Sequence, residues 1–271
     1  MMTEWRIKMK KLFLALFAVA VFTAFSFAAA KENETPSSIY AKVIDRSYIG
    51  KYQSIIIDKE LSSTRLPQGI TVKSKTYFAG GKFREETKTK DADDQTMDIT
   101  TIFTPSDTYI SYDGENYFSL GSAFIDEISE NLKNIDPFSP FAVLQQKLET
   151  MNGAECYVIE DNAGGVNRKF YIEKKTYNVV KSVISNDEFL IVTDMSNYKK
   201  VNKYTAPFAI KLLVKQKTGE KEVVESAIKI TSVQFNPAIE ADMFTPKNVI
   251  KLPNINIPGI GNVKDIIQSI F

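Results

Sequence analysis

The sequence predicts a mainly β protein with a few helices, an α+β chain built on an antiparallel sheet or partial barrel. Three observations carry this. Short runs rich in β-branched and aromatic residues fill most of the chain after residue 50, many with strand-like alternation, the pattern of a sheet with one buried face. Turn residues punctuate these runs, most clearly at Gly80-Gly81 and Asp113-Gly114, where glycine supplies the positive φ of a tight hairpin. Helical spacing is confined to a few short segments.

The N-terminus is read first. Lys8, Lys10 and Lys11 precede an apolar run over residues 12–25, and Ala28, Ala29 and Ala30 lead into a charged stretch at Lys31. A basic region, a short apolar region and a small-residue site in that order make a secretory signal peptide. The run is shorter than the ~20 residues of a spanning helix. Cleavage is expected after Ala30, with Ala28 the next choice, so residues 1–30 are assigned as signal peptide. An uncleaved anchor is the alternative, and Met9 is an alternative start. No cysteine lies near the site, which excludes a lipidated lipoprotein signal.

Residues 31–37 read as a flexible polar leader. Ile39, Val43, Ile44 and Tyr48 lie on one face of a helix over 38–48, with Ser37 or Ser38 as its cap. Strands follow over 52–61, 70–78, 83–89, 97–103, 107–112 and 115–120. Two amphipathic helices then interrupt, at 123–133 (Phe124, Ile128, Leu132) and 140–149 (Phe141, Leu144, Leu148), separated by Pro137 and Pro140. Their placement between strands suits a lid. Strands resume over 155–161, 168–173, 179–184, 189–194, 208–216 and 223–235, with a short turn or helix at 239–244. The domain is expected to span 38–249. The tail, 250–271, begins extended and ends in a short amphipathic helix capped by Asn262.

Composition excludes several chemistries. Histidine is absent and Cys156 is the only cysteine. A Ser-His-Asp triad, a Cys-His pair, a histidine-based zinc site and an internal disulfide are therefore impossible. Cys156 reads as a small buried strand residue, with a free reactive thiol as the alternative. The net charge of +1 turns slightly negative once residues 1–30 are removed, which gives no electrostatic reason to expect nucleic acid or an anionic surface. Carboxylates adjoin at Glu85-Glu86 and at Asp91, Asp93 and Asp94. Glycosidase chemistry needs such groups to converge across a cleft, and sequence neighbours in a polar loop are ordinarily solvated. The Asp91–Asp94 loop lacks the ordering of a calcium loop. The chain is read as not an enzyme, with neither metal nor cofactor.

Several segments resemble the LolA-like superfamily of periplasmic lipoprotein carriers and outer-membrane lipoprotein-sorting proteins. They are YFAGGKFREE at 77–86, DTYISYDGENYFSL at 107–120, KFYIEKKTYNVVKSVISND at 169–187, and 197–249, where Phe235, Asn236, Phe244, Thr245 and Pro246 keep the family's FN…FTP ending. Glu173 stands where the family usually has Asp, and Thr205-Ala206-Pro207 where it often has aromatic-Ile/Val-Pro. The tail departs from the family pattern. The resemblance implies a half-closed antiparallel β-barrel whose apolar concave face is lidded by helices and accepts lipoprotein acyl chains. It implies Phe83, Tyr109, Phe118, Phe138, Phe141 and Phe170 as cavity or lid residues. It also implies that Arg84, with Lys82 the next choice, hydrogen-bonds the lid.

The expected function is therefore a soluble, periplasmic, monomeric carrier of acylated lipoprotein or another lipid ligand, served by envelope lipoprotein-export machinery and without nucleic acid. The alternative is a non-carrier sensor or interaction domain of the cell envelope for lipids or lipoproteins.

Overall fold

The computed structural model describes residues 34–46, 52–64, 66, 71–90, 96–121, 142–218, 223–250, 256–257 and 261–262. The signal peptide, the helix expected at 123–133, Phe138, Phe141 and the C-terminal helix lie outside them. The chain opens with helix α1 (Pro36–Arg46) and strand β1 (Ser54–Ser63). Strands β2 (Val72–Ala79), β3 (Lys82–Lys90), β4 (Thr96–Phe103), β5 (Thr108–Ser111) and β6 (Asn116–Gly121) follow. Next come β7 (Val143–Leu144), β8 (Glu149–Met151), β9 (Ala154–Ala163), β10 (Val166–Glu173), β11 (Val179–Ser185) and β12 (Phe189–Ser196). The last are β13 (Lys199–Val201), β14 (Tyr204–Ala206), β15 (Ala209–Gln216), β16 (Val223–Phe235), a 3-10 turn (Ala241–Phe244), β17 (Asn248–Ile250), β18 (Asn256–Ile257) and β19 (Gly261–Asn262).

These elements fall into two compact units. Among the described residues one comprises 74–121 and 237–262, the other 34–73 and 142–236. In the first, strands lie in the order β17-β6-β5-β4-β3-β2. Sequential hairpins explain that order, because short polar turns can only join antiparallel neighbours. The Gly80-Gly81 turn has φ of 57° and 74°, a conformation a Cβ would strain. Asp113 tightens the next tip: its Oδ1 accepts from the amides of Glu115 and Asn116, both at 2.8 Å. β17 is different, pairing parallel with β6 through Asn248, Val249 and Ile250.

In the second unit the order is β1-β16-β15-β12-β11-β10-β9-β7, with β8 also on β9. Every pair is antiparallel. Helix α1 packs on one face of this sheet. Ile39, Val43, Ile159, Phe170 and Ile172 form the buried cluster beneath it, and burying each such aliphatic side chain contributes about 2 kcal/mol. The opposite face carries ion pairs, Lys169 with Glu160 and Lys229 with Glu60, both at 3.1 Å.

The expected helix 38–48 forms two residues earlier, over Pro36–Arg46. Its cap is Thr35 and not Ser37 or Ser38: Ser38 N donates to Thr35 Oγ1 at 3.1 Å, and Thr35 N donates back to Ser38 Oγ at 2.8 Å. That reciprocal pair satisfies helix-end donors, and Pro36 fits the first helical position because it has no amide to leave unpaired. A second correction concerns 140–149. Its described part, from Ala142 on, is not helical but contributes β7 and the start of β8. Val143 and Leu144 pair with Glu160 and Ile159, and Gln145 N donates to Val158 O at 2.9 Å. The carbonyls of β9 take these amides in place of carbonyls one turn back, so tertiary pairing overrides a short helical spacing. The sequence reading also missed the β13–β14 hairpin at 199–206.

Candidate functional site

Strand register sorts the expected site residues onto faces, because residues paired across neighbouring strands point the same way. In the first unit Phe83 pairs with Phe103 and Phe103 with Thr108. Two residues along, Glu85 pairs with Thr101, Thr101 with Ile110 and Ile110 with Phe118. Phe83 and Phe118 therefore share one face. The Phe83 ring meets Phe103 edge-on at 5.5 Å. Arg84 pairs with Ile102, Ile102 with Tyr109 and Tyr109 with Ser119. Arg84 and Tyr109 thus belong to the opposite face.

On that second face Arg84 is the centre of a small polar network. Its Nε donates to Glu86 Oε1 at 2.8 Å and its Nη1 to the carbonyl oxygen of Met243 at 2.9 Å. Glu86 Oε2 also accepts from the Tyr77 hydroxyl at 3.3 Å. Tyr109 is half-buried, and its phenol is pushed up by burial and then by the charge of Asp107. Glu85 and Glu86, neighbours in one strand, point to opposite faces. They cannot converge on one substrate. Asp91, Asp93 and Asp94 lie outside the described residues. No cluster of three potential metal ligands occurs among the described residues.

In the second unit Phe170 sits on the face that α1 covers. Register extends that face across six adjacent strands, β9, β10, β11, β12, β15 and β16. One row runs Asp161, Arg168, Ile184, Ile191, Val214, Val224. The next runs Ile159, Phe170, Ser182, Thr193, Leu212, Ser226. The face is therefore apolar with a middle lined by short hydroxyl side chains. Ser182 is 1% exposed and Thr193 7%. At one border Arg168 donates to the buried Asp161 carboxylate, a pairing that keeps two charges compatible with burial.

The helix is strapped to the sheet at Tyr177, a residue in left-handed conformation with φ 56°. The Tyr177 hydroxyl donates to Glu34 Oε1 at 3.0 Å, and Lys42 Nζ reaches both that carboxylate, at 2.5 Å, and the hydroxyl, at 3.1 Å. Lys42 and the Arg46 guanidinium lie over the Tyr177 ring, at 4.9 and 5.0 Å, and Tyr157 stacks with it at 6.0 Å. Arg46, in the last helical turn, also donates to the carbonyl of Thr176 at 2.9 Å. Neither this strap nor the Asp161–Arg168 pair was anticipated from the sequence. The only signal was opposite charges flanking the Gly164-Gly165 turn.

Cys156 is fully buried in β9 with Val158 and Tyr171, and burial pushes its thiol up. No helix among the described residues is long and apolar enough to cross a membrane.

No protein-family model matches the chain, and no curated protein matches its sequence. Solved structures do match. A DUF1329 family protein from Desulfovibrio piger superposes with a TM-score of 0.50 at 12% identity, over 77% of this chain and 96% of that one. The LolA superfamily protein NE2245 from Nitrosomonas europaea gives 0.49 at 10% identity, over 79% of this chain and 98% of that one. At such identities the likeness is one of fold alone. The fold shared with the first of these is mainly β, and in this chain it comprises wide antiparallel sheets with a helix against one face.

Proposed function

We propose that the chain is a non-enzymatic lipoprotein-sorting or carrier-like protein of the periplasm, exported by its signal peptide, that binds acyl chains on the apolar face under α1. One observation carries this reading. That face spans six strands, about 24 Å at the usual strand spacing, whereas a helix is only about 10 Å across. Helix α1 packs on β9 and β10 through Ile159, Phe170 and Ile172, and the apolar rows continue far beyond its width. Ser182 and Thr193, both buried, lie between Phe170 and Leu212 in one row, so this part of the face is shielded from water and lined by short side chains. Each methylene removed from water there contributes roughly 0.8 kcal/mol. An acyl chain can thus be held without covalent chemistry. Phe170 is the proposed contact on this face; in the first unit Phe83 and Phe118, and on its opposite face Arg84 and Tyr109, remain separate proposed ligand or lid contacts, as do Phe138 and Phe141.

The test is displacement of a fluorescent fatty acid from the purified chain, with native mass spectrometry of material from its own envelope. Thr193→Phe puts a bulky ring among these short side chains and should weaken probe binding at least tenfold while far-UV and near-UV circular dichroism stay unchanged. Equal affinity in a folded Thr193→Phe variant rejects this face as the binding surface.

A further inference from the structure

We infer that one end of the second unit docks on an anionic phospholipid surface, through a basic rim made by the β13–β14 hairpin and the β10–β11 turn. Strand direction puts both at the same end of the sheet. β11 leaves the turn at Val179, and β12 returns to that end at Ser196, where Tyr198 donates its hydroxyl to the Val179 carbonyl. The β13–β14 hairpin follows at once, and β15 starts beside Ser196.

The hairpin holds Lys199, Lys200 and Lys203 and no acidic residue, and all three lysines are exposed. The turn adds the exposed Lys174 and Lys175, and the exposed Arg46 sits against it, donating to the Lys175 and Thr176 carbonyls. Lys174 faces Glu155 at 3.5 Å. Lys175, Lys199, Lys200 and Lys203 have no carboxylate partner among the described residues. The acidic groups at this end are Glu34, held by Lys42 and the Tyr177 hydroxyl, Asp45, Glu155, Glu173, which accepts the Thr176 hydroxyl at 2.5 Å, and Asp194, which faces Lys181 at 3.9 Å. The rim is therefore a local excess of positive charge in a chain whose net charge is only +1.

Two of the hairpin ammonium groups are positioned by rings. Lys199 Nζ lies 4.5 Å from the Phe208 ring centre and Lys203 Nζ 5.3 Å from that of Tyr204. Both rings are themselves buried. A π face orients a cation without neutralising it, so the charge remains available to a partner. Lys169 and Lys229, on other parts of the sheet, are by contrast paired with carboxylates.

The choice of a lipid surface rests on the acyl-carrier reading. A chain moved between membrane and carrier pays for exposure to water unless the carrier sits on the membrane when it loads. A polybasic rim provides that contact, worth roughly fivefold in affinity for each lysine near an anionic surface, and it weakens with salt so that release stays possible.

The chain, purified as the cell processes it, is mixed with vesicles of phosphatidylcholine alone or with phosphatidylglycerol. The parent should bind the anionic vesicles, bind neutral ones far less, and be released by high salt. Lys199→Gln/Lys200→Gln/Lys203→Gln should lose on the order of a hundredfold in anionic-vesicle binding with an unchanged unfolding midpoint. Equal binding by parent and triple variant, or none by the parent, overturns the inference. So does a triple variant that keeps vesicle binding and loses binding to an acidic protein or peptide. Fatty-acid displacement in solution is measured in parallel. A parent that takes no fatty acid yet binds anionic vesicles through these lysines overturns the carrier reading and leaves the lipid contact standing.

Discussion

Arg84 Nη1 donates to the carbonyl oxygen of Met243 at 2.9 Å, tying β3 to a 3-10 turn 159 residues further along the chain. The same guanidinium is fixed by Glu86 at 2.8 Å. The fork geometry of arginine suits it to hold a strand carboxylate and a turn carbonyl together. Family resemblance implied a hydrogen bond from this arginine to a lid, and the carbonyl it reaches belongs to the turn at Ala241–Phe244. Arg84→Leu should destabilise the chain by about 2 kcal/mol, read as a lower denaturant midpoint at unchanged slope. Arg84→Lys should recover part of this, since an ammonium group can reach one partner but not span both. A midpoint equal to the parent's would mean the contact contributes nothing.

The helix strap gives a graded pair of variants. Ile39 is 0% exposed between α1 and the sheet, and Ile39→Ala should cost about 2–5 kcal/mol, the usual toll of a core cavity. Tyr177→Phe removes only the hydroxyl that donates to Glu34 and should cost about 1 kcal/mol. Equilibrium unfolding ranks the two. If Tyr177→Phe proves the more damaging, the polar strap and not the apolar contact holds the helix.

Asp113 predicts an acid-sensitive hairpin tip. The Asn116 amide, then the Asn116 side chain, the Glu115 amide and Ser111 all hydrogen-bond its carboxylate and hold it well below the ordinary carboxylate range. A depressed folded value stabilises the fold above the unfolded value, near 4 for Asp. That contribution falls away as pH drops through the folded value. The side-chain carboxyl resonance of Asp113 should therefore still report the ionised form at pH 3. A midpoint near 4 would show that the tip is not closed around it.

Cys156 should be inert. It is fully buried, and burial pushes its thiol up, so the reactive thiolate is scarce at neutral pH. A thiol reagent should modify it only in denaturant, at a rate tracking unfolding. Rapid labelling of the folded chain would place Cys156 at the surface.

Residues local in sequence determined much of the strand and turn pattern in both units. β16 follows its alternation over Val223–Phe235, and the hairpins at Gly80-Gly81 and Asp113-Gly114 close where glycine permits positive φ. Strand existence and tight turns depend on side-chain period and backbone freedom, both of which are written in adjacent residues. Helix α1 was legible for the same reason, since Ile39, Val43 and Ile44 mark one face, although its cap moved to Thr35.

Only tertiary structure decided that Val143 and Leu144 join a sheet, because the carbonyls that capture this segment belong to β9 and lie elsewhere in the chain. It decided that Phe83 and Phe118 share a face while Arg84 lies on the other, since face depends on register and a slip of one residue would invert it. It also decided the partners of Arg84, Arg168 and Tyr177. Those are distant groups whose approach is fixed by packing and cannot be computed from spacing. The sequence by itself set the periods, turns and excluded chemistries, and the fold chose which faces those periods present.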